Sequence, residues 1–150
     1  MPRWLVVLAA SVACAAEYFD SGGTSEPALL IPGGCQTARV LTGFAPLLQP
    51  TYRTIAVTPP GCGTTIPDAY GIDRHIDGLI ALLDRLGLPK ATFIGHSSGG
   101  GLVVRLARRY PNRVTRLVLL DPIYTGVPPA FEEEMEAAIN KGVHESLTRE

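Results

Sequence analysis

Charge is scarce in this chain. Of its 150 residues, 18% are Asp, Glu, Lys or Arg, and 13 basic against 14 acidic side chains leave a net charge of -1. No broad positive field is available to hold nucleic acid by counterion release. Nucleic acid is therefore excluded as a partner, and a small, neutral or weakly charged molecule is expected. No apolar run reaches the ~20 residues of a membrane-spanning helix, so no transmembrane span is expected. Cysteine is rare as well, at three residues, Cys14, Cys35 and Cys62. None has a partner at the CxxC spacing of a metal site, so no metal is expected, and no other cofactor is called for. Three cysteines cannot all pair within one chain. Inert, buried apolar residues and a Cys35–Cys62 bridge both stay open.

The N-terminus, residues 1–20, admits two readings. Arg3 followed by the apolar stretch Leu5 to Ala13, with Ala13 and Ala15 as an AxA-like end, resembles a short signal peptide. Val12 to Phe19 equally reads as an early strand, part of which cleavage would remove. The balance falls on a cytoplasmic protein, with export left open.

What the chain does have is punctuation. Its 16 glycines and 13 prolines lie between apolar runs. Ala28 to Ile31 is short, continuous and apolar and stops at Pro32-Gly33-Gly34, as a buried parallel strand should. Ala38 to Leu48 shows helical spacing, kinked or restarted at Pro46. Tyr52 to Val57 reads as a strand, followed by a long surface loop from Thr58 to about Gly71. A helix begins at Ile72, with Ile76, Leu79, Ile80, Leu83 and Leu86 on one face, and is ended by Gly87 and Pro89. Ala91 to Gly95 is the next strand; the helix after it turns Leu102, Val103, Leu106, Ala107 and Tyr110 inward. Leu117 to Leu120 is another strand, closed by Asp121-Pro122. Strands alternating with helices of this length imply an α/β fold with a mostly parallel sheet and helices on both faces. Function in such sheets gathers at the strand C-terminal ends. Residues 21–128 are read as this core and 129–150 as an amphipathic helical tail. No internal repeat is present.

Chemistry concentrates in Gly95-His96-Ser97-Ser98-Gly99, a GxSxG pattern. It begins as an apolar strand ends and sits where an amphipathic helix starts. A strand-to-helix turn this sharp needs small residues at the flanks and pushes the Ser97 hydroxyl outward. A serine nucleophile also needs N–H donors for the developing oxyanion. One comes from the residue after it, Ser98, at a helix N-terminus. The second is expected from Gly34 or Cys35, in the loop after the strand Ala28 to Ile31.

The segments LLIPGG, VTPPGCG, IGHSSGGG and YPNRVTRLVLLDP, from about Phe19 to Asp121, together resemble the N-terminal core of an α/β-hydrolase of the lipase, esterase and lactonase superfamily. The resemblance implies an α/β-hydrolase-type sheet with Ser97 as nucleophile and an oxyanion hole of Gly34 or Cys35 with Ser98. Gly95, His96 and Gly99 complete the elbow, and a cap starts after Asp121. Two positions depart from the family pattern. Pro32-Gly33 stands where His-Gly is usual, and Thr58 or Pro59 where an acidic residue is frequent.

The general base is the missing part. Serine needs a histidine within hydrogen-bond reach, itself oriented by a carboxylate, and the resemblance places that histidine after the last strand. The expectation is a chain that ends before the last strands, and with no triad histidine evident the activity of the 150-residue form by itself stays open. His75 is read as a solvated residue on the polar side of its helix, His96 as a packing neighbour of the nucleophile, and His144 in the tail as the remaining candidate base. Asp121, at a strand end, is the candidate acid. The expected function is a serine hydrolase acting on a carboxylic ester, lactone or similar acyl compound through an acyl-enzyme. The alternative is a non-catalytic binding or interaction module on the same fold. A sheet that stops at Leu120 also predicts a second copy or a partner covering its open edge.

Overall fold

The computed structural model describes residues 5–6, 17–59, 62 and 72–123. These residues form a six-stranded sheet: β1 (Leu5–Val6), β2 (Tyr18–Asp20), β3 (Glu26–Ile31), β4 (Tyr52–Val57), β5 (Ala91–His96) and β6 (Val114–Leu120). Its strand order is β1-β2-β4-β3-β5-β6. The pairs β1/β2 and β2/β4 are antiparallel, and β4, β3, β5 and β6 run parallel. The crossovers to β5 and β6 carry the helices α1 (Ile72–Arg85) and α2 (Ser98–Arg109). Of the N-terminal stretch read as signal or strand, Leu5–Val6 and Tyr18–Asp20 are strand, Glu17 precedes the second of them, and the rest lies outside the described residues. So do His144 and the tail over 129–150.

The central strands are continuous apolar runs because both of their faces are covered. Leu29, Ile31, Ile55, Val57 and Phe93 on one face pack against Ile76, Leu79 and Leu83 of α1 and Val103 and Leu106 of α2. Ala28, Leu30, Ala56 and Ile94 on the other face pack with Phe19, Ala38 and Ala45. The helix α1 ends as its sequence requires. Gly87 adopts φ +67°, the Leu88 N–H donates to the Leu83 carbonyl at 2.9 Å, and the Gly87 N–H donates to the Asp84 carbonyl at 3.0 Å. This is a Schellman cap built on the one residue that enters a left-handed conformation freely.

The helix expected over Ala38 to Leu48 is instead two 3-10 turns, Ala38–Leu41 and Ala45–Leu48. Their bonds all run three residues back, including Thr42 N–H to the Arg39 carbonyl and Gln49 N–H to the Pro46 carbonyl. Pro46 has no N–H for an α-helical bond and is tolerated in a first turn. Of the positions that set the helical spacing, Val40 and Leu47 are 53% and 77% exposed, while Leu41 and Leu48 are half-buried and pack with buried Ala38 and Ala45 on the second face of the sheet. The spacing therefore does not mark one continuous helical face.

The carboxyl ends of β3, β5 and β6 are in register. Ile31 pairs with Gly95, and Gly95 with Leu119. Each loop that follows these strands therefore emerges at one edge of the sheet.

Candidate functional site

Ser97 sits between β5 and α2 with φ +52° and ψ -125°, a conformation that costs a side-chain-bearing residue roughly 1–3 kcal/mol. Tertiary bonds hold it there. The Ser97 N–H donates to the Leu120 carbonyl at 2.9 Å, and the Ser97 carbonyl accepts the N–H of Gly100 at 2.9 Å and of Ile123 at 3.0 Å. The residues on both sides of Asp121, itself exposed at φ +45°, thus tie β6 to the serine.

The turn closes only because side chains are missing. A Cβ on Gly99 would lie 2.5 Å from the Pro32 carbonyl oxygen and 2.6 Å from that of Ile31. On Gly95 it would meet the Gly99 carbonyl oxygen at 2.6 Å, and on Gly100 the Pro122 Cβ at 2.7 Å. Glycine in a helix costs about 1 kcal/mol relative to alanine. The run Ser98-Gly99-Gly100-Gly101 accepts that cost to bring α2 close to β3 and to Pro122.

The loop after β3 meets the elbow directly. A Cβ on Gly33 would stand 2.6 Å from the Ser97 Cβ and 3.1 Å from its Oγ, so Gly33 belongs to the site although the sequence pointed to its neighbours. Gly34 and Cys35 follow at φ +59° and +55°, and the Gln36 N–H closes on the Gly33 carbonyl at 3.0 Å. Two consecutive positive φ angles under that bond are the mark of a type I′ turn. Cys35 is strained in it, since only glycine enters this region at no cost. The Gly34 N–H donates to Ser98 Oγ at 2.8 Å. The turn thus presents an N–H donor to an acceptor oxygen at the N-terminus of α2.

Of the two readings left open for the cysteines, the structure contains the bridge: Cys35 and Cys62 are disulfide-bonded, with Cα atoms 4.8 Å apart. The bridge ties the turn after β3 to the loop after β4. At the start of that loop, buried Thr58 accepts the Ala38 N–H on Oγ1 at 2.8 Å, and its own N–H donates to the Glu17 carbonyl at 2.8 Å. A neutral hydroxyl at this position thus anchors the first 3-10 turn.

Beside the elbow is a cavity of about 240 Å³. Pro32, Pro59, Ile72 and Leu102 supply its apolar wall; Ser98, Gly99, His75 and the two bridged cysteines complete the lining. His75 is therefore not the solvated residue expected. It is half-buried, on the side of the first turn of α1 that lines the cavity together with Cys35, Pro59 and Cys62 from the loops after β3 and β4. Helical periodicity marks only the stripe that faces the sheet, so it gave no signal for this second contact. His96 is exposed at the end of β5. Among the described residues no group of three or more His, Cys, Asp or Glu could hold a metal ion, and no helix is long and apolar enough to cross a membrane.

Comparison with known proteins agrees with this architecture. The family model for the alpha/beta hydrolase fold matches residues 27–143. A 2-hydroxymuconate semialdehyde hydrolase of Pseudomonas putida is 37% identical over 111 residues, which cover 71% of this chain and 40% of the relative. A 2-hydroxy-6-oxononadienedioate/2-hydroxy-6-oxononatrienedioate hydrolase of Paraburkholderia phymatum is 30% identical over 136 residues, covering 86% of this chain and 47% of the relative. Among solved structures, a meta-cleavage product hydrolase of Pseudomonas fluorescens superimposes with a TM-score of 0.64 at 33% identity, over 71% of this chain and 41% of that one. The chain spans less than half the length of each of these hydrolases. With a mostly parallel sheet, a serine at the strand-to-helix elbow and a family match over most of its length, the chain belongs to the alpha/beta hydrolase fold family.

Proposed function

We propose that the chain carries the nucleophile half of a serine hydrolase acting on a carboxylic ester, lactone or similar acyl compound. The observation that carries this reading is the elbow: Ser97 held at φ +52° between β5 and α2, with Gly33 against its side chain. Ser97 Oγ attacks the acyl carbon and gives its proton to a histidine. The carbonyl oxygen becomes an oxyanion facing the N–H groups of Ser98 and of Gly34 or Cys35, and the macrodipole of α2 favours its charge. Collapse expels the alcohol, or opens the lactone ring, and leaves an acyl group on Ser97 for water to remove. Asp121 is the candidate acid that orients the base. His144, the candidate base from sequence, lies outside the described residues.

Relatives named as a hydrolase and as an esterase/perhydrolase support acyl chemistry, and one named for decarboxylation of an oxetan-2-one supports a lactone as a substrate class. The test is turnover of a short-chain p-nitrophenyl ester by the folded chain, beside Ser97→Ala. Loss in Ser97→Ala supports the assignment; equal turnover in Ser97→Ala ends it. The second reading, a non-catalytic interaction module, draws on β6. Val118 and Leu120 are exposed there, as is Ile123 just after the strand, apolar surface that a second copy or a partner could cover. A folded chain without turnover that self-associates would favour it.

A further inference from the structure

We propose that the Cys35–Cys62 bridge is a thiol-exchange site, at which a low-molecular-weight thiol opens the turn that presents Gly34 to the elbow. The effect on chemistry rests on the hydrolase reading above; the exchange site itself does not.

Access is the first argument. Cys35 is exposed on the type I′ turn and Cys62 is half-buried. Both line the cavity beside the elbow, so the bridge stands at the site and not within the core. Exchange needs an attacking thiolate to reach one sulfur in line with the other, and exposed disulfides are the labile ones.

Consequence is the second argument. Cys35 has a side chain yet is held at φ +55°. Besides the bridge, the turn is held by the bonds from Gln36 N–H to the Gly33 carbonyl and from Gly34 N–H to Ser98 Oγ. Once the bridge opens, Cys35 is free to return to a conformation ordinary for its type. The Gly34 N–H then swings away from Ser98, and Gly33 from the Ser97 side chain. The donor is lost without any change at the nucleophile.

The step balances with the thiol alone. A thiolate attacks Cys35 Sγ and the S–S bond breaks. Its electron pair leaves on Cys62 Sγ, which takes a proton, and Cys35 carries a mixed disulfide. A second thiolate attacks the outer sulfur of that adduct, releasing the small-molecule disulfide and the Cys35 thiolate. The small-molecule disulfide reverses both steps and restores the bridge.

The experiment treats the folded chain with reduced glutathione, quenches with iodoacetamide and maps the cysteines by peptide mass. Labelling of Ser97 by a fluorophosphonate is timed in parallel. The expected result is glutathione on Cys35 and carbamidomethyl on Cys62, with Cys14 in the same digest as a control for general thiol chemistry. Labelling should slow roughly a hundredfold, the effect of misplacing one oxyanion donor, and recover with oxidised glutathione. Cys62→Ser should label at the slow rate with or without thiol. A bridge that stays closed under glutathione overturns the proposal, and so does an adduct on Cys35 that leaves Ser97 labelling unchanged. If Ser97 reacts in neither form, the hydrolase reading fails by itself. The proposal is then decided by the mass map and the Gly34 amide resonance, which must move when the bridge opens; a stationary resonance overturns it.

Discussion

The two sides of the candidate site are built by opposite means. The elbow from Gly95 to Gly100 is made by exclusion: side chains are absent where β3, β5, α2 and Pro122 converge. The facing turn, Gly33 to Gln36, is made by attachment. A disulfide, a backbone bond and the Gly34 to Ser98 hydrogen bond hold a cysteine in a left-handed conformation. A site shaped by exclusion breaks when atoms are added, and one shaped by attachment breaks when links are cut.

Cutting the bridge should have the largest effect on stability. Cys62→Ser frees a closed loop with a sequence separation of 27. A loop of that length corresponds to about 3–4 kcal/mol in the chain-entropy treatment. Denaturant unfolding of the two proteins side by side measures it; a difference below about 1 kcal/mol would mean that the turn needs no attachment.

Adding one methyl group to the elbow should come next. Gly99→Ala places its Cβ against two backbone carbonyl oxygens that cannot rotate away, at the upper end of overpacking costs, about 3 kcal/mol. That corresponds to a fall in Tm of roughly 6–12 °C for a chain of this size. Gly43→Ala is the matched control, since nothing lies within 4 Å of its added Cβ, and its Tm should stay within about 1 °C. Equal shifts in the two variants would contradict the account of the elbow as a place where volume is forbidden.

The smallest effect belongs to a link outside both sides. The Glu26 carboxylate joins three strands, accepting Thr92 Oγ1 at 2.7 Å and Arg116 Nη1 at 2.9 and 3.0 Å. The Thr92 hydroxyl, and then Arg116, hold its pKa below the ordinary carboxylate value of 4.5. Stability from this group is therefore complete above the unfolded value near 4.5 and is lost as pH falls through the lower folded value. Glu26→Gln should flatten the acid side of the stability profile and leave its slope near neutrality unchanged. Unfolding midpoints measured across the acid range read this directly.

The same contrast separates what sequence conveys from what it conceals. β4 could be bounded as Tyr52–Val57 and the cap of α1 placed at Gly87, because continuous apolar runs and a terminal glycine are local consequences of local physics. The elbow was legible for the same reason. GxSxG at the junction of a strand and a helix states a steric requirement within five residues. The attachments were not legible. Cys35–Cys62 could be posed only as one of two options, since a cysteine pair 27 positions apart carries no local mark. Gly33 was passed over for its neighbours because its role depends on a serine 64 positions later. His75 was misplaced because its second environment comes from loops, which periodicity does not see. The turns at Ala38–Leu48 show the reverse error, an apolar spacing that reads as one helical face but belongs to two 3-10 turns, with Leu41 and Leu48 packed inward and Val40 and Leu47 exposed.

The central claim is that Ser97, and not the adjacent Ser98, is the reacting group. The most direct measurement is the position of the adduct formed when a fluorophosphonate is added to the folded chain, read by fragment masses across His96-Ser97-Ser98-Gly99. The account predicts one phosphonyl group on Ser97, kept in Ser98→Ala and absent in Ser97→Ala. An adduct on Ser98, or one that persists in Ser97→Ala, would contradict it.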